Sequence, residues 1–197
     1  MDTTSGGAGR RSEPDRATYT VRPAVADRDA GPCLEIYAPH VSESAVSFEV
    51  VVPSETEFAG RIRSAGEAFP WLIAERSDGA VGGFAYASKH RERAAYRWAA
   101  DVSVYVHPSH QRRGLGALLY RELFARLRRQ GIHVACAGIA LPNDASVGLH
   151  RALGFEPVGV YRRIGWKGGA WHDVGWWQLD LGLDRTSPPA DPTPPAR

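Results

Sequence analysis

Lysine is almost missing from this 197-residue chain: Lys89 and Lys167 are the only two, in a total of 24 basic residues. Positive charge is therefore nearly all guanidinium, suited to planar bidentate contacts rather than point charges. Cysteine is as scarce. Cys33 and Cys136 form no metal-binding spacing, and so few thiols indicate a reduced, cytoplasmic protein rather than a disulfide scaffold. No window approaches the roughly twenty apolar residues that a membrane span requires. No apolar run follows Arg10-Arg11 as an export signal would need, and no internal repeat is present. Charge imbalance is lacking too, since 24 basic against 22 acidic residues leave no field to gather nucleic acid. What remains is 43% apolar content in a chain of single-domain length.

The ends differ from the middle. Residues 1–18 contain no apolar run and read as a disordered leader, while 184–197 hold five of the 14 prolines and read as an extended, disordered tail. The folded domain is then 19–183. Within it a strand is expected at Tyr19 to Arg22, and a helix from Asp27 to Tyr37 with Gly31-Pro32 in its first turn. A second helix runs to Ala68 from Ser54, whose partner Glu57 completes a capping box. Strands at Trp71 to Glu75 and Val81 to Ala87 flank the turn Ser77-Asp78-Gly79. Further on, Val134 to Leu141, Phe155 to Trp166 and Val174 to Leu181 read as strands and Asp144 to Leu153 as a short helix. Such an order predicts an α/β (α+β) domain, a mixed sheet with helices on both faces.

The segment Asp101 to Tyr120 says most about chemistry. Val102, Val104 and Val106 alternate with polar or aromatic neighbours, the period-two pattern of a buried strand that Pro108 ends. From Leu115 the apolar residues Leu118, Leu119, Leu123 and Leu127 recur at three- and four-residue spacing, an amphipathic helix stopped by Gly131. The helix thus begins inside Gln111-Arg112-Arg113-Gly114-Leu115-Gly116, where unpartnered N–H groups and glycines make an anion cradle. Neither the nucleotide P-loop nor the dinucleotide fingerprint fits this spacing.

The loop does resemble the pyrophosphate loop of the GNAT superfamily of N-acetyltransferases. Matches narrow the resemblance to the phosphinothricin acetyltransferases: Arg22-Pro23-Ala24, Ser44 to Glu49, Pro70-Trp71, Arg93 to Tyr96, Ser103 to Val106, Leu141 to Asp144 and, above all, Trp171 to Leu179. The resemblance implies the GNAT acyl-CoA N-acyltransferase fold, with a mixed, mostly antiparallel central sheet. It also implies acetyl-CoA as co-substrate, acetylation of the α-amino group of phosphinothricin, methionine sulfone or methionine sulfoximine, and a homodimer.

Carried over residue by residue, the cofactor falls on Val104, Tyr105 and Val106 and on Arg112, Arg113, Gly114, Leu115, Gly116 and Ala117, with Asn143 on the pantetheine amide. A backbone N–H at Tyr105 or Val106 would face the oxyanion. Asp101 stands where the family has glutamate, one methylene shorter, and is the candidate general base. His150 is the second catalytic candidate, as an acid for the departing thiolate. Arg93 first and Arg91 second are candidates for the substrate carboxylate, and Phe48, Tyr96 and Trp166 for the pocket wall. His107 and His110 lack a third ligand, and no metal is expected. Two other functions remain open: acetylation of another amine, such as a polyamine or a protein N-terminus, and a non-catalytic acyl-CoA-binding module, which the shorter Asp101 favours.

Overall fold

The computed structural model of the chain describes residues 19–195; the expected leader lies outside them, as do the last two residues. In chain order the elements are β1 (Tyr19–Pro23), α1 (Ala26–Ser42), α2 (Glu55–Ala68), β2 (Trp71–Arg76), β3 (Val81–Lys89), β4 (Ala99–Val106), α3 (Leu115–Gln130), β5 (Val134–Leu141), α4 (Asp144–Ala152), β6 (Glu156–Lys167) and β7 (Ala170–Asp180). The strands form one sheet in the order β1-β2-β3-β4-β5-β7-β6. Every neighbouring pair is antiparallel except β4 with β5. This is the mixed sheet that the order of strand and helix patterns predicts, and mostly antiparallel as the family resemblance implies.

Two apolar clusters sandwich the sheet. On one face Leu115, Leu119, Leu123 and Leu127 of α3 pack with Val102, Ala135 and Phe155. On the other, Ile36 and Tyr37 of α1 and Phe58 and Ile62 of α2 pack with Ile73 and Phe84. Strand alternation divides the residues between them, so that adjacent Leu72 and Ile73 serve opposite clusters. Truncating a fully buried member such as Leu119 to alanine removes its packing and leaves a cavity, at a cost of about 2–5 kcal/mol.

Helix α1 is longer than its sequence pattern suggests. It starts at Ala26 and runs through both Pro32 and Pro39 to Ser42, so Pro32 lies in the interior rather than the first turn. Burial of Ala30, Cys33, Ile36, Tyr37 and Val41 along one face outweighs the lost backbone bonds. A buried carboxylate pins its start: Asp29 accepts both guanidinium N–H groups of Arg22 at 2.7 and 2.8 Å and the Val25 N–H at 2.7 Å. Helix α2 carries the Ser54–Glu57 capping box, and α3 ends on Gly131 in the left-handed region. Strand β7 begins at Ala170 rather than Val174, which places Trp171 and His172 in the hairpin with β6.

The described part of the proline-rich segment has no helix or strand, yet it lies along the body. Trp98 Nε1–H donates to Ala190 O (2.8 Å), Gln130 Nε2 to Thr193 O (2.8 Å), and Thr193 N–H to Gln130 O (2.9 Å). Proline-rich sequence cannot form a ladder, but an extended strap needs only a few such donors and acceptors. No helix among the described residues is long and apolar enough to cross a membrane.

Candidate active site

Strands β4 and β5 pair only at Ala99↔Val134, Ala100↔Ala135 and Asp101↔Cys136. Beyond that vertex they have no ladder with one another. Backbone alternation decides which groups face the gap. The His107 N–H donates to Gly82 O on the β3 side (3.0 Å), while Trp98 O accepts from His133 and Val134 N–H on the β5 side (2.8 and 3.1 Å). Odd-numbered groups of β4 therefore face β3 and even-numbered ones face β5. The N–H groups of Val104 and Val106 are left pointing into the opening, whereas the Tyr105 amide is committed to Phe84 across the ladder. Of the two expected oxyanion donors, Val106 is the free one. The Tyr105 side chain packs away from α3, against Tyr37 and Phe84 at ring-centroid distances of 5.2 and 5.1 Å.

The cleft runs from this opening along Val102 to Tyr105, Ala137 to Ala140, Asn143, Ser146 and His150. Past the cleft, Val106 at the end of β4 adjoins the start of α3, where a Cβ on Gly116 would lie 3.9 Å from its side chain. The first intrahelical bond runs from Leu118 N–H to Gly114 O (3.0 Å), which leaves the N–H groups of Leu115, Gly116 and Ala117 for an outside acceptor. Arg112 (φ 59°) and Gly114 (φ 77°) both adopt the left-handed region, curling the backbone into a concave nest, and a Cβ at Gly114 would meet open space. Arg112 and Arg113 are exposed beside it. Gly116 has another task, since a Cβ there would come within 3.0 Å of Leu149 in α4. Asn143 caps α4 by accepting the Ser146 N–H (3.1 Å), leaving its amide nitrogen toward the cleft it lines.

At the vertex, the Asp101 carboxylate lies 2.6 Å from His90 Nδ1, a residue that sequence patterns did not single out. Burial pushes the Asp101 carboxyl above the ordinary carboxylate range, and the His90 bond and the Arg91 charge pull it partly back. The Cys136 thiol is pushed up to about 11, first by burial and then by the Asp101 charge. Donor atoms of His90, Asp101 and Cys136 all lie within 4.8 Å of one another, the one grouping among the described residues with metal-ligating atoms so close. Cys33 and Cys136 are both free and buried.

A second cavity, of about 400 Å³, adjoins the cleft and shares Val46, Gly138 and Ala140 with it; its other walls are Phe48, Tyr161, Ile164, Val174 and Trp176. The loop after α1 reaches this place because Lys167 Nζ, in β6, donates to Ser47 O (2.6 Å). Phe48 then lies flat on Gly165, where a Cβ would sit 2.1 Å from its ring. Arg91 stacks its guanidinium 5.5 Å above Trp176. Arg93 stands exposed and makes no side-chain hydrogen bond or ion pair among the described residues, so of the two it is Arg91 that contacts a wall residue of the cavity. Tyr96 reaches the site through the His90 ring at 5.8 Å. Trp166 does not reach it, packing instead on Trp171 at the hairpin tip (5.4 Å).

His150 is 3% exposed, with both ring nitrogens engaged. Ser146 O can only accept, so the Nδ1 at 2.7 Å carries the proton and Nε2 accepts from the Tyr120 hydroxyl (3.2 Å). Burial lowers its pKa, and the ring is neutral near pH 7. It walls the cleft, but no N–H is left over for a departing group.

A strand edge opened at a parallel pair, ending on a helix N-terminal nest, matches a known architecture. The GNAT acetyltransferase domain aligns with residues 23–176, and the chain belongs to that family. It is 40% identical over 181 residues to a phosphinothricin N-acetyltransferase of Streptomyces viridochromogenes, covering 92% of this chain and 95% of that one. An L-methionine sulfoximine/L-methionine sulfone acetyltransferase of Pseudomonas aeruginosa is 40% identical over 124 residues, 63% of this chain and 72% of that one. Among solved structures, a phosphinothricin acetyltransferase from Sinorhizobium meliloti in complex with AcCoA superposes with a TM-score of 0.83 at 37% identity, covering 88% of this chain and 94% of that one.

Proposed function

We propose that the chain transfers the acetyl group of acetyl-CoA to the α-amino group of a small amino acid of the phosphinothricin, methionine sulfone or methionine sulfoximine type. The observation that carries this is the parting of β4 from β5 at Asp101. It sets an unpaired strand edge for an extended pantetheine arm beside a half-buried carboxylate and a cavity whose Trp176 wall carries a guanidinium on its ring. The nest at Arg112 to Ala117 is suited to the pyrophosphate, and the Val106 N–H to the oxyanion. Names borne by the relatives support the substrate class.

The chemistry needs an uncharged amine. Asp101, held above the ordinary carboxylate range by burial, is nearer than a surface aspartate to the working pH of a base. The cavity matches the substrate in parts: Phe48, Val174 and Trp176 offer apolar wall to methylene and methyl groups, and Arg91, with Arg93 on the same loop, offers guanidinium to carboxylate or phosphinate. Two unpaired cysteines accord with a reduced, cytoplasmic setting. An exposed apolar strip on β6 accords with a homodimer.

Thiol release from acetyl-CoA tests the reading directly. It is expected with phosphinothricin, methionine sulfone or methionine sulfoximine and not with spermidine. Equal or faster release with spermidine would move the enzyme to polyamines, and acetyl-CoA binding without release on any amine would make it a binding module.

A further inference from the structure

We infer that His90 is a catalytic residue: its imidazole takes the proton from the substrate ammonium, and Asp101 acts through it. This rests on the acetyl-transfer function proposed above and changes which atom meets the amine. Ser88 pairs with Asp101 across the β3–β4 ladder, so the chain leaving β3 carries His90 back over the carboxylate. There Nδ1 lies 2.6 Å from Asp101 Oδ1, while Nε2 has no hydrogen bond among the described residues. An ionised carboxylate can only accept, so Nδ1 holds the hydrogen and Nε2 presents its lone pair. Rings on two sides fix the imidazole, Tyr96 at 5.8 Å and Trp176 at 6.1 Å, both in edge-to-face geometry. Trp176 is also a wall of the acceptor cavity, which puts His90 between the carboxylate and the amine's site. His90 and Asp101 side chains are 16% and 28% exposed, enough to exchange a proton with solvent after turnover. The charged and titratable groups around the ring are Asp101 on β4, Cys136 on β5, and Arg91 and Tyr96 on the loop.

The steps balance. The ammonium gives one proton to Nε2, and the imidazolium is held by the Asp101 carboxylate. The freed amine attacks the thioester carbonyl carbon, the C–N bond forms, and the C–S bond breaks with its electron pair on sulfur. The second nitrogen proton ends on the thiolate, and His90 returns the first to water. One methylene is missing from Asp101 relative to the family's glutamate, and the imidazole fills the distance that the shorter arm leaves.

The test pairs His90→Gln with Asp101→Asn, each checked for folding by thermal melting. His90→Gln is expected to lower kcat by about a hundredfold or more with little change in either KM. The double variant should be hardly slower than the worse single, and added imidazole should restore turnover to His90→Ala but not to Asp101→Asn. If His90→Gln keeps the parental kcat while Asp101→Asn loses it, the carboxylate works without the histidine and the inference is overturned. If both keep it, the base assignment at Asp101 falls as well.

Discussion

Arg91 answers to two neighbours at once, an indole face that its guanidinium covers and an aspartate whose charge it steadies. A substrate carboxylate arriving over Trp176 would meet that guanidinium already desolvated on one side, so little rotamer freedom is left to lose on binding. Arg91→Ala should therefore raise the KM for the amino acid about tenfold or more with acetyl-CoA binding unchanged, and Arg93→Ala should do less. Initial rates at varied amino acid and calorimetry with acetyl-CoA check both; the reverse ranking would make the exposed arginine the anchor. Asp101 makes a claim about pH. Its folded pKa is raised, chiefly by burial. The native state thus holds the proton to higher pH than the unfolded chain does, and the group's stability contribution is lost as pH rises through the folded value. Activity needs the ionised form, so kcat/KM should fall on acidification at a pH above the ordinary carboxylate value of about 3.9. Asp101→Asn, which takes the carboxylate from beside the His90 ring, should shift that limb and flatten the acid side of the melting profile. An acid limb that survives Asp101→Asn unchanged would assign it to another group.

At the scale of elements, the start of α3 offers an anion its backbone N–H groups rather than any one side chain. Gly114→Asp forces a Cβ into a left-handed backbone (φ 77°) and adds a carboxylate beside three free N–H groups meant for an anion. Acetyl-CoA affinity should fall by well over tenfold, read by calorimetry on the folded variant, with a modest drop in melting point from the strained backbone; affinity within a few-fold of the parent would reduce the turn to a connection. This element was legible in the sequence because its signals are local: alternation in β4, glycine at the turn, leucines at helical spacing. The capping box at Ser54 and the stop at Gly131 were legible for the same reason. His90 was not. The two residues, His90 and Asp101, are eleven apart in the chain, and their nearness depends on the register of β3 against β4, which no local pattern in the run Lys89 to Arg93 encodes. Trp176 as a cavity wall likewise depends on β7 entering between β5 and β6. The pattern from Asp27 to Tyr37, with Pro32 expected in its first turn, gave a shorter α1, since helix propensity is local and the burial that carries the helix from Ala26 through Pro39 is not.

At the scale of the whole molecule, the sheet has two edge strands among the described residues, β1 and β6, and the β6 edge exposes a run of apolar side chains. Strand β6 is the last in the sheet, and Val158, Val160, Tyr161, Ile164 and Trp166 on it are 48–62% exposed, with Trp171 of β7 at 58%. A lone chain would expose its apolar residues singly, whereas on β6 they form a strip that Arg162 and Arg163 interrupt without dividing. The strip is also continuous with the acceptor cavity, because Tyr161 and Ile164 belong to both. The ladder slips between Tyr161 and Gly165, around Arg163 at φ 49° with its N–H held by Asp173 (2.8 Å), and this irregular stretch carries Ile164. A second copy of the chain laid on the strip would cover the apolar surface and narrow the open side of the cavity together, with about 800 Å² per partner needed for a stable pair. Ile164→Glu puts a charge where that contact would be driest. The parent is expected to sediment as a dimer at micromolar concentration and Ile164→Glu as a folded monomer. The monomer should bind acetyl-CoA normally, since the nest and the strand edge lie across the cleft, but should show a raised KM for the amino acid through its opened cavity. A parent that sediments as a monomer, or an Ile164→Glu dimer of parental affinity, would give the strip to another occupant and leave each site complete within one chain.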